Sequence, residues 1–188
     1  MSIKPIAQAS PLRKALAISP TAEVIHHSEL FIRRIHAIAK SIATEKLDTP
    51  NAHGLGEKNG IADPWENFLG EIGEQSVSAY FGITHEPSPE GTGPDVRSVC
   101  VRCRSQHDWD LPIRRNDIKD LHLPWVLASH VPGQFFTLLH GWGFGHELKP
   151  LGNFTNFGNG RPKAYFVNRV HLKPMSTLTR DIWDQRPF

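Results

Sequence analysis

Three short segments carry the residues best suited to chemistry. In Gly70-Glu71-Ile72-Gly73-Glu74 the two glutamates are three apart, so on a helix they share a face with Asn67 and Ser78. In Gly93-Pro94-Asp95 an acid closes a loop at the entrance of a strand. In Cys100-Val101-Arg102 alternate side chains point to one side of that strand. Each has a plainer reading: a solvated helix face, a turn aspartate and an ordinary strand. Charge is also uneven along the chain. Residues 48–95 hold nine acids and one base, whereas residues 96–188 hold thirteen bases and seven acids. A bland surface has this pattern, and so does a protein that holds metal with its acids and phosphate with its bases.

The elements that must position these residues follow from periodicity and punctuation. Residues 1–20 contain Pro5, Pro11 and Pro20 and read as a mobile arm before a single domain over 21–188. Val24, Phe31, Ile35, Ile38 and Ile42 form one apolar stripe, which predicts a helix over 21–46. A Pro/Gly-rich loop spans 48–62. Asp63, Pro64 and Glu66 then match an N-cap, a first helical position and a capping box. Trp65, Phe68, Leu69, Ile72 and Ala79 mark the buried side of this second helix, and Gly82 is its stop. Gly70 and Gly73 cost such a helix about 1 kcal/mol each and are tolerable if it packs closely on a sheet.

After the turn-rich residues 84–94 the pattern changes to strands. Val99, Val101 and Cys103 alternate with Cys100, Arg102 and Arg104. Short strands follow at 110–114, 125–129, 135–139 and 164–168, with Pro112 requiring an edge position for the first of them. Gly141-Trp142-Gly143-Phe144-Gly145 reads as a sharp bend with buried aromatics, and 150–162 as a Gly/Asn-rich loop. Helices first and strands afterwards predict an α+β (mixed α/β) fold, with the N-terminal helices packed on a mixed central sheet.

Other signals are weaker. Cys100 and Cys103, with His107 and His122 nearby, invite a zinc site. A second ligand pair is missing, and a regular strand sends the two thiols to opposite faces. Arg102, Arg104, Arg114, Arg115 and Lys119 cluster beside Trp109 and Trp125, a combination that suits nucleic acid or a solvated strand face equally well. No apolar run approaches the roughly 18 residues of a membrane span, no secretory signal is evident, and two close cysteines fit a reducing cytosol.

An acid-bearing helix, a Pro-Asp at a strand entrance and an X-Val-cation strand, in that order, resemble the PD-(D/E)XK nuclease superfamily. More narrowly, Gly70 to Met175 is similar to a group of phage and bacterial proteins. The matching residues are Val101-Arg102-Cys103-Arg104, Asp110-Leu111-Pro112-Ile113-Arg114, Asp117, Gly141-Trp142, and Gly160-Arg161-Pro162-Lys163-Ala164-Tyr165-Phe166-Val167. The resemblance implies a restriction-endonuclease-like core over about 63–175, DNA as partner, and a bacterial or phage-infected cytoplasm.

It also implies Mg²⁺, or alternatively Mn²⁺, held by Asp95 and Glu74. Arg102 stands where the superfamily has lysine, able to bind phosphate but too basic to act as a base. Glu71 is a further candidate on the helix. Arg104, Arg114, Arg115 and Lys119 are the candidate DNA contacts. The departures are specific. Cys100 occupies the position of a usual acid, and thiols are poor partners for Mg²⁺. Four residues between Asp95 and Cys100 make a short link. Asp108 and Asp110 are candidate replacement carboxylates, and His107 a candidate base. The alternatives to a nuclease are a non-catalytic nucleic-acid-binding module and an accessory protein that binds a protein partner through the acidic 48–95 segment.

Overall fold

The computed structural model describes residues 10–47, 64–85, 94–114, 121–155 and 163–184. Asp63, Arg115, Asp117 and Lys119 lie outside these residues. The fold is α+β, and the described residues form two sheets rather than one. The first has strands β1 (Glu23–His26), β2 (Cys100–Arg104), β4 (Pro124–Ser129) and β5 (Phe136–Phe144), in the order β1-β5-β4-β2. β2 runs parallel to β4 and the other pairs are antiparallel, so this sheet is mixed as expected. The second sheet is antiparallel: β3 (Leu111–Arg114), β6 (Asn153–Thr155) and β7 (Ala164–Val167), in the order β3-β7-β6. β3 is an edge strand, where the missing N–H of Pro112 costs no ladder bond.

The helices are α1 (Pro11–Ile18), α2 (Glu29–Leu47), α3 (Pro64–Phe81) and the short α4 (Gly145–Leu148) and α5 (Arg180–Trp183). Val77 of α3, Val101, Val126, Ala128 and Leu139 of the first sheet and Val99 just before β2 form one apolar layer with Met175, Leu178 and Trp183. On the other face Cys100, Trp125 and Leu127 meet Leu111, Ile113 and Val167 of the second sheet. α2 packs on α3 through Ile35, Ala39, Phe68 and Ile72.

Two N-terminal expectations change. The supposed arm is helical at Pro11–Ile18: Ser10 Oγ caps Arg13 N–H at 3.3 Å, Pro11 sits where no N–H is needed, and Ala15 is buried beside Phe136 and Leu138. The helix expected from 21 starts at Glu29, because Ser28 caps it through Phe31 N–H at 3.1 Å. Val24 and Ile25 instead pair with β5. Ala79, expected on the buried side of α3, is exposed.

The Gly141–Phe144 stretch is no bend. It continues β5 to Phe144, and the register shifts opposite Leu127/Ala128, so His140 is the extra residue of a bulge. Gly141 has φ +145, and a Cβ there would lie 2.5 Å from the Lys173 carbonyl oxygen. Residues 153–155, expected to be loop, add β6. Among the described residues no helix is long and apolar enough to cross a membrane.

The two glycines of α3 have opposite meanings. A Cβ on Gly73 would sit 2.7 Å from Cys103 Cβ and 3.3 Å from Val101 Cγ1, whereas one on Gly70 would meet nothing closer than Glu74 Oε1 at 3.9 Å. Overpacking costs about 1–3 kcal/mol against a helix-propensity gain of about 1 kcal/mol. Because Cys103 Cβ is fixed to the β2 backbone, the clash wins. Gly73→Ala is therefore expected to lower the thermal midpoint, and Gly70→Ala to raise it slightly. Calorimetric melts of the two variants beside the parent check both signs.

Candidate metal centre

α3 ends at Gly82, whose φ of +66 reverses the chain. Gly82 N–H donates to Ala79 O at 3.2 Å and Ile83 N–H to Ser78 O at 3.0 Å, closing the helix end in a Schellman arrangement. The reversal brings residues 83–85 back along the helix. His85 thereby meets Glu74, with Nε2 2.9 Å from Oε2. Glu71, almost fully buried, joins them, and ligand atoms of Glu71, Glu74 and His85 all lie within 4.8 Å of one another. Two carboxylates and an imidazole can hold a metal ion.

The electrostatics fit that donor set. Burial pushes the Glu74 carboxyl up to about 7, and the charges of Asp95 and Glu71 push the same way, against the hydrogen bond from His85. That hydrogen bond in turn raises His85 above the usual imidazole range. Crowded, desolvated carboxylates call for a countercharge, which a dication supplies.

Asp95 stands at the edge of this group. A tight turn, Val96-Arg97-Ser98-Val99, joins it to β2, with Val99 N–H donating to Val96 O at 2.9 Å and Arg97 at φ +56. The short link to Cys100 is thus accommodated. Asp95 Oδ2 accepts from Val101 N–H at 2.6 Å and from Arg102 at 3.4 Å. Asp95 and Arg102 pair with each other, and the converging donors are Glu71 and His85 with Glu74, rather than the expected Asp95 with Glu74. Cys100 turns away into the core between the two sheets, and so does not take the place of an acid at the centre. The Cys103 thiol, pushed up to about 12 by burial, lies on the opposite, α3 side of β2, so the two thiols do not converge on one ion.

Other expected residues lie elsewhere. His107 is buried, with Nδ1 2.6 Å from Ser129 Oγ and Nε2 2.9 Å from Gln134 Oε1, and it has no part in the metal-capable group. Asp108 and Asp110 are likewise outside it. The Arg102 guanidinium lies 4.6 Å over the Trp125 ring, and that of Arg104 4.6 Å over Trp109, which is 44% exposed. Arg114 ends β3, half-buried.

Sequence reading missed His85, which sits among turn residues. The available signal was the helix stop at Gly82, since a reversal there returns the next residues to the preceding turn. A cavity of about 330 Å³ abuts the centre through Gln75 and His85, and is also lined by His26, His27, Phe31 and Thr84. Another, of about 370 Å³, is walled by Trp65, Phe68 and Phe135 and touches none of Glu71, Glu74 and His85.

The fold and site thus define an α+β protein with a carboxylate–imidazole centre on its third helix. Comparisons with family models, curated proteins and solved structures found no match.

Proposed function

We propose that the protein is a metal-dependent phosphodiesterase of the PD-(D/E)XK type acting on DNA, with its centre at Glu71, Glu74 and His85. The observation that carries this reading is the convergence of those three side chains, with the charge of Asp95 acting on Glu74 and His85. A bound dication at such a centre polarises a phosphoryl oxygen and makes water nucleophilic near neutral pH. Glu71 and Glu74 anchor the ion. Glu71, from the helix, supplies the acid that the strand lacks at Cys100. Asp95, fixed by Val101 N–H, orients the attacking water from the edge of the site. Arg102, over Trp125 on the Cys100 face of β2, would act through Asp95, which it helps to hold. The resemblance favours Mg²⁺ or Mn²⁺ and a bacterial or phage-infected cytoplasm.

A second reading rests on the exposed Arg104–Trp109 stack, which offers charge and a ring face to nucleic acid without any cleavage. Cleavage of supercoiled and linear DNA with Mg²⁺ or Mn²⁺, beside Glu74→Ala and Asp95→Ala, separates the two. The nuclease reading expects metal-dependent cutting that both substitutions abolish. Binding that weakens steeply with salt, without cutting, would transfer the case to the second reading. A folded protein that neither cuts nor binds DNA would end both.

A further inference from the structure

We infer that the centre selects a first-row transition dication, of the Mn²⁺ and Zn²⁺ kind, over Mg²⁺, and that Gln75 is its positioning residue. This rests on the metal-centre reading but not on DNA cleavage. Mg²⁺ demands near-octahedral oxygen ligation and sheds water reluctantly, whereas an imidazole nitrogen suits transition dications. His85 Nε2 is that nitrogen, already 2.9 Å from Glu74 Oε2. Two carboxylates balance a 2+ charge, and three protein donors leave a position open, the pattern of a catalytic rather than a structural site.

The spacing is close to what such an ion needs. Bonds of about 2.0–2.2 Å put tetrahedral ligands about 3.4 Å apart. The three donors lie within 4.8 Å of one another, so small side-chain rotations close the shell. The adjoining 330 Å³ cavity gives an ion and its exchangeable ligand a path in.

Gln75 ties the two halves of the centre together. Its Nε2 donates to Glu71 Oε1 at 2.8 Å and to the His85 carbonyl at 3.2 Å. One amide thus aims a ligand on α3 and anchors the backbone of the ligand that follows the helix. Loss of such a support typically lowers metal affinity 10–100-fold.

Calorimetric titration of the metal-free full chain with Mg²⁺, Mn²⁺ and Zn²⁺ tests the inference. A second readout is nitrogen hyperfine coupling to bound Mn²⁺ by pulsed electron paramagnetic resonance. Zn²⁺ and Mn²⁺ should bind at least about 10-fold tighter than Mg²⁺, and the nitrogen coupling should vanish in His85→Asn. Gln75→Leu should weaken Mn²⁺ about 10–100-fold with the coupling retained. Mg²⁺ binding as tightly as Mn²⁺, or Mn²⁺ binding that His85→Asn leaves untouched, would overturn the selectivity. No binding of any of the three ions would overturn it together with the centre itself. Binding that depends on His85 in a protein that does not cut DNA would leave the inference standing and remove only the nuclease.

Discussion

Glu74→Gln is expected to stabilise the protein at pH 8 while destroying its capacity to bind metal. The carboxyl is held at about 7 rather than its ordinary 4.5, first by burial and then by Asp95 and Glu71. A carboxyl raised by folding resists ionisation in the native state. The cost is therefore absent below about pH 4.5 and complete above about pH 7. A shift of this size corresponds to at most about 3 kcal/mol, and the proton shared with His85 reduces it. The neutral amide avoids this cost, so a gain of about 1–2 kcal/mol, or several degrees in midpoint, is expected without metal.

Saturating metal should reverse the order of the two proteins. At 100 times its dissociation constant a ligand stabilises the parent by about 2.7 kcal/mol, and the variant gains little. Melts at pH 8 with and without Mn²⁺ read both effects. A variant less stable than the parent without metal would mean that Glu74 is simply a structural partner of His85.

Mild acid should unfold the protein through its buried histidines. Burial holds His27 and His130 down to about 4 and His140 to about 3, and it lowers His107 as well. Burial is the cause throughout, and around His140 the hydrogen-bond chain also leaves a second proton without a partner. If His107 Nε2 donates to Gln134 Oε1, its Nδ1 accepts from Ser129, and Ser129 accepts from His140 Nε2, 2.6 Å away. His140 Nδ1 is buried with no hydrogen-bond partner, so a charge there would be unsolvated. His130 Nδ1 lies 3.1 Å from the Phe136 carbonyl, a bond that favours the charged ring and only partly offsets its burial, and His27 is lowered by burial and by the charges of His130 and His26.

An imidazole depressed by folding binds its proton first in the unfolded chain. Its stabilisation is complete above about pH 6.5 and is lost as the pH falls toward 4. Each of the three large shifts corresponds to at most about 3–5 kcal/mol, with His27 discounted as the most exposed. Together they rival the whole stability of a domain, about 5–15 kcal/mol. Glu74 works in the opposite direction over the same range, but as one group against three. Urea midpoints should therefore fall steeply between pH 7 and pH 5, and equal midpoints at the two values would refute the account.

Much of the architecture was readable where a residue has a single use. Gly82 marked a helix stop and Pro112 an edge, and each is so placed, whereas close packing on a sheet was expected for both Gly70 and Gly73 and holds only at Gly73. Alternation around Cys100 and Cys103 correctly sent them to opposite faces. Failures came where a pattern has two uses. Val24 fits a helical stripe and equally a four-residue strand, and partner β5 decides between them. Gly141 reads as a bend, yet serves a bulge beside the Lys173 carbonyl. The centre was half legible. Glu71 and Glu74 follow from helical spacing, but His85 depends on how the chain folds back, and Gln75 shows its part only once both ligands are in place.

The clearance at Gly73 has a consequence for how the centre can vary. Gly73 immediately precedes Glu74, so the tight contact of α3 with Cys103 on β2 is adjacent to a member of the metal-capable group. The helix is seated there like a rack tooth. Sliding it along its axis would drive a larger side chain into Cys103, and rotating it would do the same. Changes in surrounding loops therefore leave Glu71 and Glu74 where they are, and the freedom to retune the group falls to the His85 side, which approaches on an irregular segment.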